Sequence, residues 1–236
     1  NMNIIQTYLN KHAITNLWKI NPNPQKKFDH AIVIPAFSES ELLINTLSSI
    51  DNNDVSILEN TLVIVVVNNA EHSPIAIMRD NQHTLEMLKN TQYNFTLGVV
   101  DAASHGFVLP AKQAGVGLAR KIGIDLVLRY LSYPENLIFC TDADTIVSKN
   151  YMHKVISYFD TTMAQAAVIG FRHLESSDKK HEDAIRQYET YLISTADRIQ
   201  KTGSPYGYVS MGSTMVCTVK AYCAVGGMPK KKATED

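Results

Sequence analysis

The segment Leu137-Ile-Phe-Cys-Thr-Asp-Ala-Asp144 joins a short apolar run to two carboxylates that are separated by one residue. The apolar part, Leu137 to Cys140, predicts a buried strand, because an apolar run of this length bounded by polar residues is typical of one. Two carboxylates directly after the strand cannot both point into a core without a large desolvation cost. The segment therefore places Asp142 and Asp144 on the rim of a sheet.

Apolar runs of strand length recur on both sides of this segment, and stretches with helical spacing of apolar residues separate them. The first such stretch, residues 3–20, predicts an amphipathic helix that ends before Pro22 and Pro24. The predicted strands are residues 30–35, 62–67, 95–100, 137–140, 166–171 and 213–219. Alternation of this kind implies a single large α/β domain with a mostly parallel central sheet and helices on both faces.

Three serines predict where helices begin, because serine side chains accept hydrogen bonds from the free N–H groups of a first helical turn. Ser38 and Glu41 have the spacing of a capping box, and Ser73 precedes a proline that suits the first turn of a helix. Ser148 is predicted to cap the helix that follows the aspartate pair. Each cap would fix the point at which a loop turns into a helix.

Charge and cysteine content restrict the class of protein. The formal net charge is −1, from 22 basic and 23 acidic residues, so we expect no binding of nucleic acid. Cys140, Cys217 and Cys223 lack a C-x-x-C spacing and lie beside apolar residues, which indicates buried thiols in a reducing compartment. The longest strongly apolar run, residues 62–67, is too short to span a bilayer. The sequence thus predicts a cytoplasmic protein without a transmembrane segment, either free or peripheral to the inner face of the membrane.

Polar clusters follow three of the predicted strands, at residues 35–39, at Asn68-Asn69 and at residues 142–144. Ligands of parallel α/β sheets bind beyond the carboxyl ends of the strands, so three clusters at one edge indicate a site. There Asp142 and Asp144 form a hard-oxygen pair suited to Mg²⁺ or Mn²⁺, completed by phosphate oxygens and water. Such an ion would neutralise a departing diphosphate. The spacing alone leaves open that Asp142 caps a turn and Asp144 is a solvated loop residue.

Other phosphate chemistries fit the sequence less well. The haloacid-dehalogenase phosphatases have a D-x-D-x-T motif after their first strand, whereas here Thr145 follows the second aspartate directly and the fourth strand precedes it. Gly115-Val116-Gly117 opens a helix without the G-x-G-x-x-G or Walker pattern of a nucleotide-binding loop. A sugar nucleotidyltransferase would have a glycine-rich, arginine-containing turn where this chain has Pro35-Ala-Phe-Ser-Glu39.

Taken in order, these pieces resemble the family 2 glycosyltransferases of GT-A fold over nearly all of residues 30–236. The matching segments are residues 33–37 with Glu39, the apolar second strand, Gly117-Leu-Ala-Arg120, the D-x-D, residues 212–219, Gly226-Gly227 and Glu235-Asp236. The resemblance implies an α/β, GT-A type nucleotide-diphospho-sugar transferase fold. It divides the chain into an N-terminal helical extension and linker, residues 1–27, and a catalytic domain, residues 28–236. The family's sequence beyond the Glu-Asp pair is absent, so we expect a domain truncated at its C-terminal end.

The same resemblance implies which residues bind the donor nucleotide. Pro35, Ala36 and Phe37 would line the base, and Glu39 would lie beside the ribose. Arg120 matches the arginine that supports this pocket. Asn69 stands where the family usually has an aspartate that hydrogen-bonds the base.

The resemblance also implies residues for the metal and for catalysis. Asp142 would contact the ribose or a metal-bound water, and Asp144 would ligate the metal. Asp236 would be the general base that deprotonates the acceptor hydroxyl, with Glu235 as the next candidate.

Three departures from the family pattern concern the same region. Asn68-Asn69 replaces the usual acidic residues, Ser38 stands where asparagine is common, and Lys121 stands where asparagine usually follows the arginine. The first of these leaves the identity of the nucleotide open.

The resemblance thus implies an inverting, metal-dependent glycosyltransferase that uses Mn²⁺ or Mg²⁺. Its donor would be a UDP- or GDP-linked sugar, and its acceptor a hydroxyl of an unidentified saccharide or lipid-linked molecule. Two alternatives remain at this point: a nucleotide-sugar-binding module without catalysis, and a structural α/β domain with no ligand.

Overall fold

The computed structural model of the protein describes residues 4–14, 17–209 and 211–230. In these residues the strands form one sheet in the order β3-β2-β1-β4-β6-β5. The strands are β1 His30–Ala36, β2 Thr61–Asn68, β3 Thr96–Ala102, β4 Leu137–Cys140, β5 Ala166–Val168 and β6 Met215–Thr218. The pairs β1–β2, β1–β4 and β2–β3 are parallel, whereas β6 is antiparallel to β4 and β5. The predicted α/β class with a mostly parallel sheet is confirmed.

Helices connect most of these strands. They are α1 Ile4–Lys11, α2 Ser40–Asp51, α3 Val55–Leu58, α4 Ile75–Leu88, α5 Val116–Val127, α6 Tyr151–Thr161, α7 Lys179–Lys201 and α8 Val219–Ala224. Short 3₁₀ turns follow α5 and precede β6, at Leu128–Tyr130 and Gly212–Thr214. Within the described ranges, none of the helices has the length and apolar character needed to cross a membrane.

Strand β2 is buried along its whole length and contributes to two cores. Successive side chains of a strand point to opposite faces of the sheet. Leu62, Ile64 and Val66 accordingly join the core beneath α1, α5 and α8. The alternate side chains, from Val63 to Val67, join the core beneath α2, α4 and α6. A continuous apolar run therefore suits this strand, because helices cover both of its faces.

The helix predicted for residues 3–20 is wrong at residues 12–14 and 17–20, because α1 ends at Lys11; residues 3, 15 and 16 lie outside the described residues. After His12, whose N–H still donates to the Tyr8 carbonyl oxygen at 2.8 Å, Ile14 and Asn21 find backbone partners in other elements. The Ile14 N–H donates to Asp125 Oδ2 at 2.8 Å, and Asn21 exchanges two backbone hydrogen bonds of 2.8 Å with β3. These contacts hold the segment against the domain in a non-helical form.

The capping box predicted at Ser38 and Glu41 is also wrong. Helix α2 begins at Ser40, its N-cap residue Glu39 makes no side-chain cap bond, and Ser38 adopts a left-handed φ of 58°. A residue of α4 holds the helix start instead. The Asp80 carboxylate accepts from the Ser40 backbone N–H at 3.2 Å and from its hydroxyl at 2.5 Å. The free N–H groups of α2 are thus partly satisfied across the structure rather than locally.

The other two predicted caps do not form either. Helix α6 begins at Tyr151, whose N–H donates to the Ser148 carbonyl oxygen at 3.0 Å rather than to the serine hydroxyl. Ser73 Oγ accepts from the Ala70 N–H at 3.1 Å within the loop before α4. Strand β5 is shorter than predicted and ends at Val168.

A buried polar network attaches α1 to the domain. The Tyr8 hydroxyl donates to Asp125 Oδ1 at 2.7 Å and accepts from Lys121 Nζ at 2.7 Å, and the Tyr222 hydroxyl donates to Asp125 Oδ1 at 2.9 Å. Lys121 and Asp125 also form an ion pair of 3.0 Å in α5. Burial raises the pKa of Tyr8, so its hydroxyl stays protonated and can donate. Lys121, the residue that departs from the family pattern, thus has a structural role. The predicted domain boundary after residue 27 stays a prediction.

Removing the Tyr8 hydroxyl tests this network. We expect Tyr8→Phe to lower the free energy of unfolding by about 1–3 kcal/mol, because Lys121 and Asp125 each lose a buried hydrogen-bond partner. Urea denaturation followed by circular dichroism measures the loss. Tyr130→Phe is the matched control, since the Tyr130 hydroxyl bonds Asn23 at the surface. Equal losses in the two variants would contradict a stabilising role for the buried network.

Candidate functional site

A cavity of about 700 Å³ lies at the carboxyl ends of β1, β2 and β4. The parallel register brings these three strand ends to one edge of the sheet. His30 of β1 pairs with Thr61 of β2 and with Leu137 of β4, so the three strands begin side by side. Most of the residues predicted for the donor and the metal line this cavity: Pro35, Phe37, Glu39, Asn69, Arg120, Asp142 and Asp144. The three polar clusters that follow β1, β2 and β4 therefore share one space.

Three predicted site residues are not among those lining the cavity. The Ala36 side chain is buried in the core beneath α2, so its position supports the loop rather than facing the cavity. Glu235 and Asp236 lie outside the described residues. Their assignment as catalytic residues stays a prediction.

Arg120 is buried in α5 and reaches the aspartate pair from below. Its Nη2 donates to Asp142 Oδ1 at 2.5 Å, and the arginine side chain is only 3% exposed. Gly212 packs directly against the guanidinium, since a Cβ at that position would lie 2.1 Å from Arg120 Nη1. The arginine charge is thus held at the floor of the cavity by an acidic partner and by a residue without a side chain.

The loop that carries the aspartates is fixed by helix α2. Ala143 is fully buried, and its carbonyl oxygen accepts from the Thr46 hydroxyl at 2.6 Å. Because the residue between them is held in the core, Asp142 and Asp144 project from the loop towards the cavity. Nothing in the sequence indicated Thr46, which reads as an ordinary polar residue of α2.

Three carboxylates, those of Glu39, Asp142 and Asp144, line the cavity. Burial raises the pKa of Glu39 above its usual range, and the nearby charges of Asp144, Asp142 and Asp80 raise it further, against the lowering effect of the Phe37 N–H. A divalent cation would relieve this repulsion, and carboxylate oxygens are its preferred ligands. Among the described residues, no group of three or more His, Cys, Asp or Glu forms a metal cage. The aspartates fit a site completed by phosphate and water.

Asn81 is a second residue that the sequence did not reveal. It lies in α4, is fully buried, and joins the loops that follow β1 and β2. Its Oδ1 accepts from the Ser38 N–H at 2.9 Å, and its Nδ2 donates to the Asn68 carbonyl oxygen at 3.0 Å and to Asn69 Oδ1 at 2.9 Å. Ser38 makes this contact from a left-handed conformation, with a φ of 58°.

Comparison with known proteins gives a fold and no sequence family. No protein-family model matches the chain, and no curated protein matches its sequence.

Solved structures match the described architecture. TarS from S. aureus superposes with a TM-score of 0.53 at 14% identity, over 89% of this chain and 52% of that one. A complex of TarS with UDP-GlcNAc gives 0.52 at 14% identity, over 89% and 51%. The mannosyltransferase PcManGT from Pyrobaculum calidifontis, in complex with GDP-Man and Mn²⁺, gives 0.51 at 13% identity, over 98% and 55%. The chain spans about half the length of these proteins, and it has the GT-A fold of the glycosyltransferases that it matches.

Proposed function

We propose that the protein is a metal-dependent, inverting glycosyltransferase that moves a sugar from a UDP- or GDP-linked donor to an acceptor hydroxyl. The observation that carries this proposal is the meeting of three strand-end clusters in one cavity, with Asp142, Asp144 and Arg120 on its charged side. The acceptor would be a saccharide or a lipid-linked molecule.

The ligands of the structural neighbours support the same donor class. TarS has been solved with UDP-GlcNAc and PcManGT with GDP-Man and Mn²⁺. Each donor is a sugar linked to a nucleoside diphosphate, which needs one end of a site for the nucleoside and another for the diphosphate. The cavity described here offers both kinds of surface.

Asp144 is the principal metal ligand in this proposal. Asp142 Oδ1 accepts a hydrogen bond from Arg120, so only the second carboxylate oxygen of Asp142 is available to a cation or a ribose hydroxyl. Asp144 is exposed at the rim of the cavity, and no donor in the described part of the chain occupies its carboxylate oxygens. When bound there, Mn²⁺ or Mg²⁺ would offset the charge that develops on the departing diphosphate. Arg120 adds a fixed positive charge below the same position.

The nucleoside would lie along β1 and β2. Pro35 and Phe37 present apolar surface, with the Phe37 ring 47% exposed at the mouth of the cavity. Glu39 and Asn69 line the same cavity, and a ribose hydroxyl bound there could donate to the Glu39 carboxylate. Stacking on Phe37 would hold the base in place.

Asp236 is proposed as the general base. It would take the proton of the acceptor hydroxyl while that oxygen attacks the anomeric carbon and the bond to the diphosphate oxygen breaks. Attack from the face opposite the leaving group inverts the configuration. Glu235 is the alternative base. If neither residue acts as a base, the protein would bind the donor without transferring its sugar.

Removal of the proposed metal ligand gives the first test. Asp144→Ala should weaken binding of UDP or GDP in Mn²⁺ at least tenfold, about 1.4 kcal/mol, while binding without Mn²⁺ stays the same. Calorimetry with and without Mn²⁺ separates the two. Glu71→Ala, at an exposed acid after β2, is the control and should change neither affinity. An undiminished Mn²⁺ effect in Asp144→Ala would sink the assignment.

The anchor of the aspartate loop gives the second test. Thr46→Val keeps the side-chain shape but leaves the buried Ala143 carbonyl without its hydroxyl partner, at a cost of about 1–3 kcal/mol. We expect a lower melting temperature together with weaker Mn²⁺-dependent nucleotide binding. Thr84→Val is the matched control, because the buried Thr84 hydroxyl bonds a carbonyl of its own helix. If both variants lose stability but neither loses Mn²⁺-dependent affinity, Thr46 does not position the aspartates.

Replacing the proposed base by its amide tests basicity alone, because the shape of the side chain is kept. Asp236→Asn should lower turnover of the sugar donor by about 10²–10⁴-fold, because a positioned general base contributes that much, while donor affinity is kept. Release of nucleoside diphosphate from a panel of UDP- and GDP-linked sugars measures turnover. Glu235→Gln, compared in the same assay, identifies the base if Asp236→Asn leaves the rate unchanged. Donor binding without turnover in the wild-type protein would instead favour a binding module.

A further inference from the structure

Residues 17–27 lie outside the family resemblance, yet they have a fitted place on the domain; we call this segment the strap. Asn21 of the strap exchanges two backbone hydrogen bonds of 2.8 Å with Val99 of β3. Ile20 packs against Gly98 of the same strand, where a Cβ would lie 2.4 Å from Ile20 Cγ2. The glycine leaves room for the isoleucine, so strand and strap are matched to each other.

The strap also bonds a loop that contributes to the donor cavity. Trp18 is buried, and its indole N–H donates to the Phe107 carbonyl oxygen at 2.7 Å. Phe107 belongs to the loop between β3 and α5, residues 103–115, which we call the wall loop. The cavity lining includes three residues of the wall loop: Ala111, Ala114 and Gly115. The N-terminal extension thus reaches the wall of the cavity through one backbone carbonyl.

Two other anchors of the wall loop lie on either side of this bond. Near its start, Asp101 Oδ1 accepts from the N–H groups of the first two loop residues, at 3.0 and 2.8 Å. Further on, the Leu109 N–H donates to the Asn69 carbonyl oxygen at 2.9 Å. The turn that lines the cavity begins at Pro110, whose carbonyl oxygen accepts two local bonds of 2.8 Å. The Trp18 bond therefore holds the stretch that leads directly into this turn.

The position of the wall loop matters because its lining residues are small. None of the three has a side chain larger than a methyl group, so the loop meets a ligand mainly with its backbone. No long side chain is there to reach a ligand if the loop moves away. The bond to Asn69 places the loop at the end of β2, where the proposed function puts the nucleoside.

We propose that Trp18 is a positioning residue for donor binding, which holds the wall loop against the nucleoside through the Phe107 carbonyl oxygen. The inference rests on the proposed function and extends the donor site to a residue of the N-terminal extension. A loop that leaves its binding position for part of the time weakens the apparent affinity by the fraction of protein that stays competent. One hydrogen bond at the base of the loop is enough to shift such an equilibrium.

Removal of the indole N–H tests the proposal. Trp18→Phe keeps an aromatic ring in the core, but the Phe107 carbonyl oxygen loses its partner. We expect the Kd of UDP or GDP, measured by calorimetry, to rise about threefold to tenfold at unchanged stoichiometry. The rise should appear with and without Mn²⁺, because the wall loop faces the nucleoside rather than the metal. Asp144→Ala, by contrast, should affect only the Mn²⁺-dependent part of binding.

Two further proteins make the test specific to the N–H group. Ile20→Val is the matched control, since it removes a methyl group from the same strap and leaves the bond to Phe107 in place, so Kd should not change. Trp18 is the only tryptophan of the chain. Biosynthetic replacement of tryptophan by benzothienylalanine therefore exchanges one N–H for sulfur at nearly constant shape, and it should raise Kd as Trp18→Phe does.

A purely structural role for Trp18 would give a different result. Partial unfolding lowers the calorimetric stoichiometry and leaves Kd unchanged, because the folded molecules keep the wild-type site. A wild-type Kd in both Trp18 replacements, or an equal rise of Kd in Ile20→Val, would overturn the proposal. If Trp18→Phe does not fold, the benzothienylalanine protein decides alone. Wild-type protein that binds neither UDP nor GDP refutes the proposed function itself, and this inference with it.

Discussion

The parallel pairing of β1 with β2 and β4 is the constraint on which the rest of the structure depends. His30 stands opposite Thr61 on one side and Leu137 on the other, so three strands leave the core at one edge. A slip of one residue in either pair would turn every side chain of the shifted strand to the opposite face. The buried side chains of β2 prevent such a slip, because they already fill cores on both faces.

Contacts between elements distant in sequence convert this sheet edge into a shaped cavity. Thr46 holds the aspartate loop, Asp80 holds the start of α2, and Asn81 holds two loops at once. Each of these side chains is largely or wholly removed from water, where a hydrogen bond to a backbone group is costly to leave unmade. The rigid frame of the site is therefore polar, although the layers that carry it are apolar.

The parts of the fold that apolar periodicity controls could be predicted from the sequence. The predicted strand at Leu137–Cys140 is β4 of the structure, and the clusters that follow β1, β2 and β4 line one cavity, as the order of parallel strands indicates. Helix starts could not be predicted as well, because the local rule at Ser38 was overridden by Asp80 of a different helix. Thr46 and Asn81 could not be found either, since their partners are chosen by the tertiary structure and their residue types are common in helices.

The contact between Gly212 and the Arg120 guanidinium has a consequence for how this sequence can diverge. The two positions are far apart in the chain, yet a Cβ at 212 would lie 2.1 Å from Arg120 Nη1, so even a methyl group there displaces the guanidinium from its present position beside Asp142. A descendant that gains a methyl group at 212 must therefore move the Arg120 guanidinium, and one that loses the arginine frees 212 to vary. Among homologous sequences the two sites should covary as a pair, with arginine and glycine either kept together or replaced together.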